Sequence, residues 1–144
     1  MGIETRCATV LALPDELRDA LERAARAAYP REACGLLIGK RQGEKTEVVH
    51  VEEGRNLNRE GEDRFELDPA DHLRCDERAR AGGLDIVGIW HTHPDHAARP
   101  SRFDLERAWE AWSYVILSVG PSRVEDVRSW RLVNDAFREE EIQP

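Results

Sequence analysis

Apolar positions along this chain alternate between two periods, and the changes of period mark out its elements. Leu17, Ala20, Leu21, Ala24, Ala25 and Ala28 recur at helical spacing and give one narrow apolar face. Leu13-Pro14-Asp15 opens that helix, with proline in the first turn and acidic residues near the positive end of the helix dipole. Tyr29-Pro30 ends it, because the residue before proline is pushed out of the helical region. The dense run from Cys34 to Gly39 reads as a buried strand, Gln42-Gly43-Glu44 as a hairpin turn, and Thr46 to Val51 as its alternating partner. Glu52 to Arg64 is polar and reads as a surface loop, followed by a short strand at Phe65-Glu66-Leu67. Asp68-Pro69 starts a second helix that Gly82-Gly83 stops.

Leu84 to Trp90 is another buried strand and runs straight into His91-Thr92-His93. After a loop from Pro94 to Pro100, Ser101 opens a short helix expected to reach about Trp112, with Trp90, Trp109 and Trp112 in the core. Tyr114 to Val119 is a core strand, Gly120-Pro121-Ser122 a turn, and Val124 to Val133 a strand of mixed polarity. From Phe137 the chain has room for one edge strand before an acidic tail over 138–144. The pattern predicts one α/β domain over 1–144 with a mixed sheet and a core over about 8–133, without internal repeats or linkers.

Bulk composition narrows the classes. A chain of 144 residues fits one domain, and one of that size buries roughly two-thirds of its unfolded surface. No apolar run approaches the ~20 residues of a membrane span, and the N-terminus lacks the apolar stretch of a secretory signal. Cys7, Cys34 and Cys75 are odd in number and widely spaced, which suits reduced thiols in a cytoplasmic protein. A formal net charge of −8 disfavours nucleic acid and anionic membranes as partners.

Chemistry concentrates between Gly88 and Asp104. Side chains two apart on an extended segment share a face, so His91 and His93 present two imidazoles together at a strand end. Either histidine alone reads as an exposed loop residue; the pair points towards a metal. With Asp104 they make three nitrogen or oxygen donors, the number a hydrolytic zinc site takes while keeping a fourth position for water. Ser101 and Asp104 also have the spacing of a capping box, serine as N-cap and an acid at the third helical position. Glu32 stands just before the first buried strand, either as a solvated residue between helix and strand or as a carboxylate able to carry protons for a hydrolytic site.

Taken together, Glu32, His91-Thr92-His93-Pro94, six residues, Ser101, two residues and Asp104 resemble the JAMM signature of MPN-domain metalloproteases. The context, a helix before EACGLLIGK, a polar segment containing Asn56, a second helix and GIWHTHP, is similar to the compact prokaryotic branch of that family. The resemblance implies an MPN (cytidine-deaminase-like) fold, a mixed curved sheet flanked by helices. It implies Zn2+ held by His91, His93 and Asp104, with Glu32 as general acid/base and Ser101 as hydrogen-bond donor to the oxyanion. It further implies hydrolysis of a peptide or isopeptide bond next to the Gly-Gly-type C-terminus of a ubiquitin-like sulfur-carrier protein. Two other classes remain open: a metal-free MPN scaffold, whose members generally lose ligands that this chain keeps, and a RadC-like protein linked to DNA metabolism. The charge and the absence of a helix-hairpin-helix segment argue against the latter.

The remaining polar candidates are weaker. His96, His50 and His72 read as surface residues, and Cys34, although near Glu32, as a small apolar core residue. The segment Asn56 to Arg64 reads as a plain loop, its other reading being the lining of a groove for a peptide tail.

Overall fold

Among the described residues there are seven strands and three helices, and the strands form a sheet that curves until it closes on itself. The computed structural model describes residues 6–58, 66–106 and 108–144. In chain order the elements are β1 (Arg6–Ala12), α1 (Asp15–Ala28), β2 (Cys34–Gln42), β3 (Lys45–Gly54), α2 (Pro69–Ala81), β4 (Asp85–Pro94), α3 (Arg102–Glu106), β5 (Ser113–Val119), β6 (Val124–Val133) and β7 (Ala136–Gln143). Strand order around the barrel is β1-β3-β2-β4-β5-β6-β7, with β7 returning to β1. The sheet is mixed: β1 runs parallel to β3 and β7, β4 parallel to β5, and the other neighbours are antiparallel.

Two apolar clusters hold this arrangement. Leu21 and Ala25 of α1 pack with Leu11, Leu37, Val87, Trp90, Val115, Leu117 and Val127 from the strands. Cys75 and Ala79 of α2 pack with Leu36, Ile38 and Ile86. Residues of β2 therefore alternate between the two clusters, Leu37 to one and Leu36 and Ile38 to the other, which explains its unbroken apolar run. Strand β5 is buried along its whole length, with Val115, Leu117 and Val119 in the first cluster. Gly35 has a further role: a side-chain carbon there would strike the Glu52 carbonyl and the Trp90 indole. Glycine lets that indole lie across β2 and donate its N–H to Glu52 O at 3.0 Å. Among the described residues no helix is long and apolar enough to cross a membrane.

Three expectations need correction, and one strand was not anticipated: β1 is paired on both sides. The acidic C-terminal segment is no edge or fading tail; β7 lies between β6 and β1 and completes the barrel. Of the expected strand at 65–67, Leu67 forms an isolated bridge with Asn56, while Phe65 and residues 59–64 of the expected loop and groove segment lie outside the described residues. Helix α3 ends at Glu106 rather than near Trp112, and the chain then turns through Ala111 at φ 77°. Trp109 is consequently 64% exposed instead of core, whereas Trp90 is buried as expected.

Candidate metal centre

Strand β4 carries its two histidines into the interior. It lies between β2, where Cys34 pairs with His91, and β5, where Ile116 and Ser118 pair with His91 and His93. Flanked on both sides, β4 has no freedom to shift, and both imidazoles are buried with ring centroids 4.9 Å apart. The loop after β4 folds back so that His93 Nδ1 lies 2.9 Å from the Ala97 carbonyl. A carbonyl only accepts, so Nδ1 carries the proton and, in the neutral ring, Nε2 is left with its lone pair.

Asp104 faces both rings. Its Oδ1 lies 3.4 Å from His91 Nε2 and its Oδ2 lies 3.6 Å from His93 Nε2. A capping box aims it: Ser101 N–H donates to Asp104 Oδ2 at 2.8 Å, and Asp104 N–H donates to Ser101 Oγ at 3.1 Å. The serine hydroxyl accepts in that bond and keeps its own proton to donate elsewhere. Asp104 is held below the usual carboxylate range: burial alone would raise it, but His93, His91 and the Ser101 N–H outweigh that. His93 is raised in turn, since burial is overcome by Asp104 and the Ala97 carbonyl.

Glu32 arrives from the opposite side. It is buried two residues ahead of β2, with Oε1 3.1 Å from His91 Nδ1, and its own carbonyl accepts from Asn56 Nδ2 at 3.2 Å. Burial pushes its carboxyl up, and the hydrogen bond from His91 and the nearby His93 only partly offset this. A carboxylate at Nδ1 favours the tautomer that turns the Nε2 lone pair towards Asp104.

These residues fit a cation. Glu32, His91 and His93 each offer a donor atom within 4.8 Å of the others. The separations of 3.4 and 3.6 Å, each from one Nε2 to a different oxygen of Asp104, are of the size found between donors around an ion; with bonds of about 2.1 Å the edge of a donor tetrahedron is about 3.4 Å. Asp104 Oδ1 and Glu32 Oε2 are buried without a hydrogen-bond partner among the described residues. Lone pairs and carboxylate oxygens that face one another inside a protein call for a proton or a metal between them.

The structure thus brings Glu32, His91, His93 and Asp104 into one cluster and places Ser101 beside it through its bonds to Asp104. His50 and His96 are exposed, while His72 is half-buried with its ring 5.8 Å from that of Trp112. Cys34 is buried, as expected of a core thiol, and its thiol is pushed up to about 12 by burial and by nearby Glu32 and Asp71. Sequence reasoning missed the tether from Asn56 to Glu32 and the Ala97 carbonyl; a backbone acceptor leaves no trace in residue type.

Comparison with known proteins agrees with the fold. Residues 14–133 match the family described as prokaryotic homologs of the JAB domain. The chain belongs to that family, the compact prokaryotic branch of the JAMM/MPN proteins, and is an enzyme of the JAMM hydrolase type. It is 33% identical to the desampylase of Haloferax volcanii over 111 residues, 76% of each chain. It is 29% identical to the CysO-cysteine peptidase of Mycobacterium tuberculosis over 138 residues, covering 92% of this chain and 90% of that one. A solution structure of a Desulfitobacterium hafniense protein, 34% identical, superposes with a TM-score of 0.81 over 92% of this chain and 90% of the other.

Proposed function

We propose that the protein is a zinc-dependent peptidase or isopeptidase that hydrolyses the bond adjoining the C-terminus of a ubiquitin-like protein of the sulfur-carrier type. The observation that carries the reading is the convergence of His91 Nε2 and His93 Nε2 on the two oxygens of Asp104, with buried Glu32 alongside. His91, His93 and Asp104 would hold the ion. Bound zinc would supply Lewis acidity and a water acidified towards neutrality. The desampylase and CysO-cysteine peptidase relatives support a small ubiquitin-like protein as substrate.

The chain's own residues divide the proton work. Glu32, its carboxyl raised by burial, takes a proton from the attacking water and passes it to the leaving amine. Oε1 is engaged by His91, so Oε2 is the oxygen free to carry that proton. Ser101 Oγ–H donates to the oxyanion as the carbonyl becomes tetrahedral. The test is a carrier protein fused through its C-terminus to a reporter, together with metal analysis of purified enzyme. Wild type is expected to bind one zinc and cleave the fusion. Glu32→Ala is expected to retain zinc and lose about 10²- to 10⁴-fold in turnover. Undiminished activity in that variant removes Glu32 as the base, and failure to take up zinc under any loading condition overturns the reading as a whole.

A further inference from the structure

The metal centre has a neighbour on one side. Asp104 also forms part of the wall of a cavity of about 290 Å³, whose other walls are mainly Phe103, Trp109, Trp112, Tyr114 and His72 over a floor that includes Ile89. Trp109 and Trp112 stack with centroids 5.8 Å apart and planes 24° from parallel. The backbone N–H of Trp109 donates to Tyr114 Oη at 2.6 Å, which pins the segment after α3 against β5. Although stacked, Trp109 keeps 64% of its surface in solvent. An exposed indole at the mouth of an aromatic cavity is an unusual surface for a charged protein, and such rings anchor ligands in concave sites.

Size and position indicate the occupant. Small-molecule and cofactor pockets usually run ~300–1,000 Å³, so this cavity sits at their lower limit and suits one large side chain. Glu32 faces Nδ1 of His91, whereas Asp104 faces Nε2 on the far side of the same ring. The leaving amine must lie by Glu32 to receive its proton, and Glu32 does not line the cavity. The cavity therefore belongs to the acyl side of the scissile bond.

We infer that this aromatic cavity receives a bulky apolar side chain, aromatic or branched aliphatic, from the substrate segment preceding the scissile bond, and that Trp109 is the residue that selects it. The inference rests on the peptidase reading above. An extended peptide advances about 3.3 Å per residue with alternate side chains on one face. If glycines occupy the two positions nearest the bond, the third to fifth residues before it are the ones that reach past Asp104.

The experiment uses zinc-loaded enzyme and internally quenched peptides with Gly-Gly ahead of the scissile bond. Leu or Phe is placed in turn at the third, fourth and fifth positions before the bond, with alanine elsewhere. One position is expected to raise kcat/KM at least 10-fold over its alanine counterpart, chiefly through KM. Trp109→Ala is expected to reduce that ratio below 3-fold, while Val49→Ala, at an exposed apolar site on β3, leaves it intact. A second arm titrates the uncleavable acid product of each peptide into metal-stripped protein and follows tryptophan emission. The apolar peptide is expected to shift the emission to the blue at concentrations at least 10-fold lower than the alanine peptide, and in Trp109→Ala the two are expected to behave alike. Cleavage without apolar preference, or a preference that survives Trp109→Ala, overturns the pocket and leaves the peptidase reading intact. If no peptide is cleaved the peptidase reading is what suffers, and the emission arm still decides the pocket: equal binding of both peptides refutes it.

Discussion

Thr92 holds Ala33 at both of its backbone groups: the Ala33 N–H donates to Thr92 Oγ1 at 2.8 Å, and the Thr92 N–H donates to the Ala33 carbonyl at 2.9 Å. Thr92 lies between His91 and His93, and Ala33 follows Glu32. One fully buried residue on β4 therefore ties the segment bearing the carboxylate to the strand bearing the imidazoles. Its alternation along the strand sends the hydroxyl away from the histidine side chains, so it holds the frame without competing for a metal.

Thr92→Val tests that tie because it keeps the shape and removes the acceptor. The Ala33 N–H would then be left without its partner, at a cost of about 1–3 kcal/mol. The expected result is lower stability in urea and reduced turnover, with Thr92→Ser recovering most of both because it keeps Oγ. A valine variant as stable as wild type would show that the hydroxyl contributes nothing to the frame.

How much of this was legible in the sequence follows from where each constraint originates. The His91–Asp104 stretch is readable because strand alternation and capping are local rules acting over a few residues. Strand β1 and the closure of the barrel by β7 are not, because the pairing of β1 with β7 joins segments more than a hundred residues apart in the chain. Glu140 shows the reason: its carboxylate is 2% exposed, bonded by Thr9 Oγ1 at 2.8 Å and Ser129 Oγ at 2.6 Å, with Arg131 3.8 Å away. A run of glutamates reads as solvated unless such partners are known. The premature end of α3 has the same cause, since the Trp109 N–H is taken by Tyr114 rather than by a helical carbonyl.

Ser101 has two separable duties. As N-cap it satisfies the Asp104 N–H, and its loss by Ser101→Ala is expected to cost about 1 kcal/mol of stability. As oxyanion donor its loss is expected to reduce kcat by about 10²- to 10³-fold. Ser101→Gly separates the two, because glycine at an N-cap costs only a few tenths of a kcal/mol yet offers no hydroxyl. Near-wild-type stability with strongly reduced kcat is the expected outcome for that variant; normal kcat would confine Ser101 to capping.

The Cys34 thiol is pushed up to about 12, mainly by burial and in lesser part by nearby Glu32. Cys75 is also buried, at 2% exposure, and its thiol is raised as well. In a Cys7→Ser background, neither thiol should react with an aromatic disulfide reagent in the native state at about pH 8, where a free cysteine is partly ionised. Unfolding in urea should release both. Fast native modification that also lowers activity would instead make Cys34 an accessible thiol beside the centre.

Asp71 is expected to contribute to stability at the acid end of the pH range, away from the centre. It is 3% exposed on α2, accepts the Arg55 N–H at 2.7 Å and pairs with the Arg74 guanidinium, which binds the end of β3 to the helix. The Arg55 N–H, foremost, and Arg74 hold its carboxyl below the ordinary value of 3.8. A folded-state value below the unfolded one means the ionised form favours the native state. That contribution is complete above the unfolded value, about 3.9, and is lost as pH falls through the folded value. Asp71→Asn should cost about 1–3 kcal/mol at neutral pH, since it weakens a hydrogen bond to a buried charged acceptor. The difference between variant and wild type in urea denaturation should then shrink below about pH 4, as the wild-type carboxyl takes up its proton. A difference that stays constant down to about pH 2 would mean that Asp71 acts through packing and not through its charge.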